Sequence, residues 1–266
     1  MANIAGIIIG ICLLATSASA HQLWLNMTDY TPVIWQHPKY APTPRAKTVL
    51  YFGWGHSYPV ADFISDRILD KLERIEPDGT RTKMEIPDQG FRAIRMDVQT
   101  PGPRVLVSSV NPSFYGPVEG KTDFYDIFYE QYAKALVSVL PEKTGPLTGP
   151  DENPFIRPVG QKLEIIPLTN PNRLQPGDTL AVRVLLEGKP APGYDVSATS
   201  LYAPNSVPQK MVTDDAGEAR FTITAFYGPW IVDATHSFPA DGELAKKCRN
   251  IHYTATLTFA VPFVKK

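Results

Sequence analysis

From residue 163 onward the chain repeats one device: a short apolar or alternating run, then a turn built from Pro, Gly, Asn or Asp. Residues 163–167, 179–186, 194–201, 209–213, 219–225, 230–236 and 253–260 are the runs. Alternation with a period of two is the mark of a strand with one buried face. The turns have their own chemistry. In Gln175-Pro176-Gly177-Asp178 the proline presets φ and the glycine accepts φ > 0, and Asp214-Asp215-Ala216-Gly217 ends in the same way. Strands this short and evenly spaced predict an immunoglobulin-like or transthyretin-like β-sandwich over residues 161–266.

The part before it, residues 21–140, reads as a second β-rich sandwich. Gln22-Leu23-Trp24-Leu25-Asn26 alternates polar and apolar, and Thr48-Val49-Leu50-Tyr51-Phe52-Gly53 is a second strand. Residues 68–76 and 81–86 flank the turn Pro77-Asp78-Gly79. Residues 91–98 and 104–110 flank Thr100-Pro101-Gly102-Pro103 and predict another hairpin. Within 124–140, Phe124, Ile127, Phe128, Tyr132, Leu136 and Val139 have helical spacing, whereas 135–140 fits a strand. The expectation there is a loop or short helix followed by a strand. Residues 141–160 hold five prolines and three glycines and predict a linker or long loop. The class is therefore all-β in two sandwich parts.

Composition agrees and excludes some functions. With 43% hydrophobic and 20% charged residues the chain is globular rather than disordered. A net charge of −1, from 26 Lys+Arg and 27 Asp+Glu, lacks the basic excess that nucleic acid demands. Neither a G-x-S-x-G elbow, a Walker loop nor a dinucleotide fingerprint occurs, so the chain reads as a binding protein and not an enzyme. Asp214-Asp215-Ala216-Gly217-Glu218 lacks the rest of a calcium loop and reads as a turn.

Residues 1–20 predict a cleaved signal peptide: an apolar run over 4–15 is followed by Ala18 and Ala20, the small residues of an A-x-A site. The mature chain is then expected outside the cytoplasm, without a membrane span. Cleavage would remove Cys12 and leave Cys248 alone, so no intramolecular disulfide is expected. It would also make His21 the first residue. An N-terminal histidine offers an amine and an imidazole on one residue, a chelating pair for Ni(II), Co(II) or Cu(II).

The five histidines, His21, His37, His56, His236 and His252, show no close metal-ligand spacing. Any centre must be assembled from distant segments. His56 ends a strand in Gly53-Trp54-Gly55-His56, and His236 ends another. The expected metal ligands are His21, His56 and His236, with Trp54 and Tyr58 walling the site. His37, on an apparent loop, and His252, beside a strand, are weaker candidates. Nitrogen donors suit nickel, cobalt or copper, whereas calcium and magnesium want oxygen.

Several ordered segments carry a family resemblance: His21-Gln22-Leu23-Trp24-Leu25, Gly55-His56-Ser57-Tyr58-Pro59, Tyr132-Ala133-Lys134-Ala135-Leu136-Val137, Leu163 through Pro171, Thr213 through Gly217, Gly228-Pro229-Trp230, and Tyr253 through Phe259. In these the chain resembles a bacterial family of unknown function labelled as the periplasmic component of cobalt/nickel-type uptake systems. The resemblance implies a periplasmic accessory protein that binds nickel or cobalt and serves a membrane metal transporter. Two other readings stand beside it: a β-sandwich interaction module, since fold does not fix function, and a copper-binding protein using its N-terminal histidine.

Overall fold

The computed structural model describes residues 21–88, 90–141, 154–201, 207–224 and 227–261. The expected signal peptide and residues 142–153 of the expected linker lie outside the described residues. In the first part of the chain the strands are β1 (Gln22–Met27), β2 (Trp35–His37), β3 (Ala41–Gly55), β4 (Leu69–Ile75), β5 (Arg81–Lys83), β6 (Ile94–Val98), β7 (Gly102–Val110), β8 (Ser113–Pro117) and β9 (Tyr125–Val139). The second part adds β10 (Leu163–Pro167), β11 (Thr179–Leu186), β12 (Lys189–Pro190), β13 (Asp195–Ser200), β14 (Gln209–Val212), β15 (Glu218–Thr222), β16 (Gly228–Pro239) and β17 (Cys248–Val261). The protein is all-β, and among the described residues no helix is long and apolar enough to cross a membrane.

Three sheets stack in layers, two outer ones about one long central sheet. Its strand order is β14-β13-β16-β17-β9-β7-β4-β5, with β8 on the free part of β9. One outer sheet joins β1, β2 and β6 to β3, and the other joins β10, β12 and β15 to β11. In the second part, β10, β11 and β15 face β14, β13, β16 and β17, the two-sheet arrangement of an immunoglobulin-like sandwich. The first part is a sandwich too, but its inner sheet is continuous with that of the second. The join is a parallel pairing of β9 with β17, from Tyr125 opposite Cys248 to Ala135 opposite Thr258.

Because side chains alternate along a strand, the central sheet serves two cores. Ala133, Ala135, Val137 and Val139 of β9 pack with Leu23, Leu25 and Phe52 of the first outer sheet. Leu136 of β9 packs instead with Ile165, Val182, Trp230 and Leu257. Lys134 also points to the second core, where its ammonium meets Glu164 Oε1 at 2.5 Å and the Ile165 carbonyl at 3.1 Å, fully buried. Glu164 in turn accepts the N–H groups of Val159, Gly160 and Gln161, so each oxygen of this buried carboxylate has donors.

Two local expectations are corrected. Residues 125–139 form one continuous strand with no helix. The helically spaced aromatics are accounted for by β8 on one side and β17 on the other, which cover both edges of β9. Residues 91–98 and 104–110 are not a hairpin: β6 pairs with β3, whereas β7 pairs with β4 and β9. Pro101 and Pro103 have no N–H to give a tight ladder, and the Pro-Gly-Pro segment carries the chain between layers. The turn at 214–217 is as expected. Asp214 Oδ1 accepts the N–H groups of Ala216 and Glu218, and Gly217 sits at φ 72°. Cys248 is a buried free thiol that donates to the Leu244 carbonyl at 3.4 Å, and burial pushes its pKa up, which keeps it protonated and inert.

Candidate functional site

The first strand is seated from beneath by side chains rather than by its own ladder alone. Thr256 and Thr258 of β17 donate their hydroxyls to the carbonyls of Leu23 and Leu25, at 2.8 and 2.6 Å. Gln131 of β9 accepts the Leu23 N–H at 2.9 Å and donates to the His21 carbonyl at 2.6 Å. Above, β1 pairs with the end of β3, with Gln22 opposite Gly55. The backbone of residue 21 is therefore held through its carbonyl by Gln131, and the next residue by β3.

The segment after β3 closes over this strand. A side chain at Gly53 would put its Cβ 1.8 Å from the Trp24 indole nitrogen, so glycine leaves the room in which that ring lies. Gly55 adopts φ 128° and lies against Ala61. The loop leaves at His56 and returns at Asp62, whose N–H meets the Trp54 carbonyl at 2.8 Å. Its far point is pinned by the Pro59 carbonyl, which accepts from the Trp24 indole N–H at 2.6 Å and from Asn26 at 2.8 Å.

This folding brings His21 and His56 together. Their ring centroids are 4.5 Å apart, and the His21 ring stacks on Trp54 with centroids 5.6 Å apart and planes 13° from parallel. Asp62 Oδ2 lies 3.9 Å from His21 Nε2. Both imidazoles reach solvent: His21 is half-buried and His56 exposed. Asp62 and Gln131 were not legible as site residues. Asp62 sits in a loop without a motif, and Gln131 is 110 residues from its partner.

His236 is not with them. It lies opposite Tyr253 on the face of β16 and β17 that carries Trp230, Val232, Leu257 and Phe259. β1 sits on the other face, with Thr256 and Thr258. The three histidines expected together are not brought together: His21 meets His56, whereas strand alternation turns His236 toward the second core. There it stacks on Tyr194 with centroids 4.0 Å apart. His37 accepts the N–H groups of Lys39 and Tyr40 in an exposed turn. His252 is partly buried next to Thr254, and burial, with His236 nearby, depresses its pKa. Among the described residues no three His, Cys, Asp or Glu side chains converge as a metal-holding group.

The family model described as "Domain of unknown function (DUF4198)" matches residues 18–238. The chain belongs to this family. The DUF4198 match begins just before His21 and ends within β16, so it takes in His21, His56, Asp62 and His236. No curated protein matches the chain. Among solved structures, a tetra-tandem repeat from the extending region of a large adhesion protein is similar at 12% identity and a TM-score of 0.23, covering 91% of this chain and 50% of that one. The D0-D1 domain of intimin is similar at 13% identity and 0.23, covering 90% and 97%. A two-domain fibronectin type III segment of chicken tenascin is similar at 13% and 0.21, covering 86% and 95%.

Proposed function

We propose that this DUF4198 protein is a periplasmic metal-handling accessory protein that takes nickel or cobalt as cargo at His21 and His56 and passes it to a membrane transporter. The observation that carries the reading is the 4.5 Å approach of the two imidazoles at the first residue after the expected cleavage site. Cleavage after Ala20 frees the His21 amine. One amine and two imidazoles then offer three neutral nitrogens, a donor set for nickel, cobalt or copper rather than for calcium or magnesium. Binding through His21 Nδ1 would leave Nε2–H directed to Asp62, the kind of carboxylate partner that orients a ligating imidazole. Gln131 and the β17 threonines keep the backbone at residue 21 from drifting, so the chelate need not be ordered on binding.

The test is a titration of nickel, cobalt, copper and zinc into processed protein whose first residue is verified as His21 by intact mass. The control carries one extra residue before His21. Tight nickel or cobalt binding that the control loses supports the reading. A strong preference for copper alone would replace nickel/cobalt delivery with a copper role. No binding in either sample overturns the metal reading and leaves a β-sandwich interaction module.

A further inference from the structure

On the other side of the His56 loop, the first outer sheet and the central sheet part to leave a cleft of about 470 Å³. That volume is within the range of small-molecule sites. Its walls include Trp24, Ser57 and Tyr58 from the first part and Ser197, Thr199 and Asp233 from the second. Asp233 is the one charged group among them. It lies on β16 opposite Ser197 on one side and Thr256 on the other, so its side chain is on the face that carries β1.

The chemistry of Asp233 is unbalanced. It accepts a hydrogen bond from the Ser197 hydroxyl, and among the described residues no cation forms an ion pair with it. Lys210, opposite Ser197 on β14, acts on it only through its field. Burial pushes the carboxyl above the ordinary range. A half-buried carboxylate without a contacting cation is costly to ionise, and a cationic group brought to it recovers part of that cost. The surrounding hydroxyls and the Tyr58 ring suit the polar and apolar parts of such a molecule.

We infer that this cleft binds a small molecule bearing a primary ammonium group, which Asp233 takes as its counter-charge while Ser57, Ser197 and Thr199 hydrogen-bond the polar groups around it. The site stands apart from the metal reading, although His56 forms part of the rim. An occupant would therefore lie beside the His21–His56 pair.

The experiment is calorimetric titration of the full processed chain with glucosamine, lysine and putrescine. Glucose and acetate are the neutral and anionic controls. At least one ammonium probe is expected to bind, and the controls are not. Asp233→Asn is expected to weaken that binding on the order of tenfold or more, with metal titration unchanged. Ser57→Trp, at an exposed loop position, is expected to block the cleft without touching the carboxylate, and it decides the matter if Asp233→Asn does not fold. Failure of all three ammonium probes, equal binding of glucose, or undiminished binding in a folded variant overturns the inference. Loss of metal binding with ammonium binding intact would overturn only the function proposed above.

Discussion

Gln131 brackets His21: its amide nitrogen donates to the His21 carbonyl at 2.6 Å while its amide oxygen accepts the Leu23 N–H at 2.9 Å. The side chain is buried, so both bonds replace water that cannot return. Gln131→Ala should cost about 1–3 kcal/mol, the penalty for stranding buried polar groups, read as a lower urea midpoint. It should also weaken metal binding at residue 21. Gln131→Glu keeps the acceptor for Leu23 but loses the donor to His21, so its metal affinity should still fall. Wild-type affinity in both variants would separate the bracket from the site.

His56 is exposed, so its removal should leave the fold intact. His56→Ala should lower metal affinity by at least the roughly 10–100-fold typical of losing even a supporting partner, with the thermal midpoint unchanged. Asp62→Asn should have a smaller effect in the same direction. A His56→Ala titration that overlays wild type removes His56 from the centre.

Gly53 is needed for the space it leaves. The added methyl of Gly53→Ala would lie 1.8 Å from the Trp24 indole nitrogen, and that nitrogen holds the Pro59 carbonyl. Overpacking of this kind costs about 1–3 kcal/mol. The variant should melt lower and bind metal more weakly, because displacing Trp24 releases the loop that carries His56. An unchanged melting temperature would mean that Trp24 repacks freely.

The buried Lys134–Glu164 pair should respond unequally to its two truncations. Lys134→Met leaves Glu164 with three backbone donors. Glu164→Ala leaves a buried ammonium with only the Ile165 carbonyl and also frees those three N–H groups. Breaking a buried pair costs about 3–5 kcal/mol, and the glutamate variant should lie at or above the upper end. Equal losses in chemical denaturation would show that the backbone bonds to Glu164 contribute little.

His252 supplies a pH dependence. Its pKa is depressed in the folded protein, first by burial and then by His236. The unfolded chain takes up this proton near pH 6.5, whereas the folded chain resists it until the pH is lower. Between those two pKa values the unfolded state binds more protons, so stability falls as pH drops below about 6.5. His252→Gln should flatten that slope. Parallel stability–pH curves for the two proteins would place the acid sensitivity elsewhere.

The local chemistry of the chain was open to reading. The runs at 163–167 and 179–186 became β10 and β11 because alternation and turn residues act over a few positions. Asp214 through Gly217 turned as its side chains dictate. The pairing of His21 with His56 was an expectation from chemistry, and the rings do meet. His236 was not readable in the same way. Asp233 and His236 are three residues apart on one strand and point to opposite sides of the central sheet. Periodicity says which residues share a face, but not which layer that face will meet.

What the sequence by itself determined is most of the strands beyond residue 163, the turn at 214–217 and the chelating chemistry His21 would have as a first residue; β2, β8 and the full length of β9 were not in it. Only the tertiary structure decided that β9 and β17 pair in parallel and join both parts through one sheet. It also seated β1 on Gln131, Thr256 and Thr258, and so directed His21 to His56 and away from His236. The reason is range. Turn and alternation signals are carried by neighbours in the chain, whereas the contacts under β1 link residues more than 100 positions apart and exist only once both cores have formed.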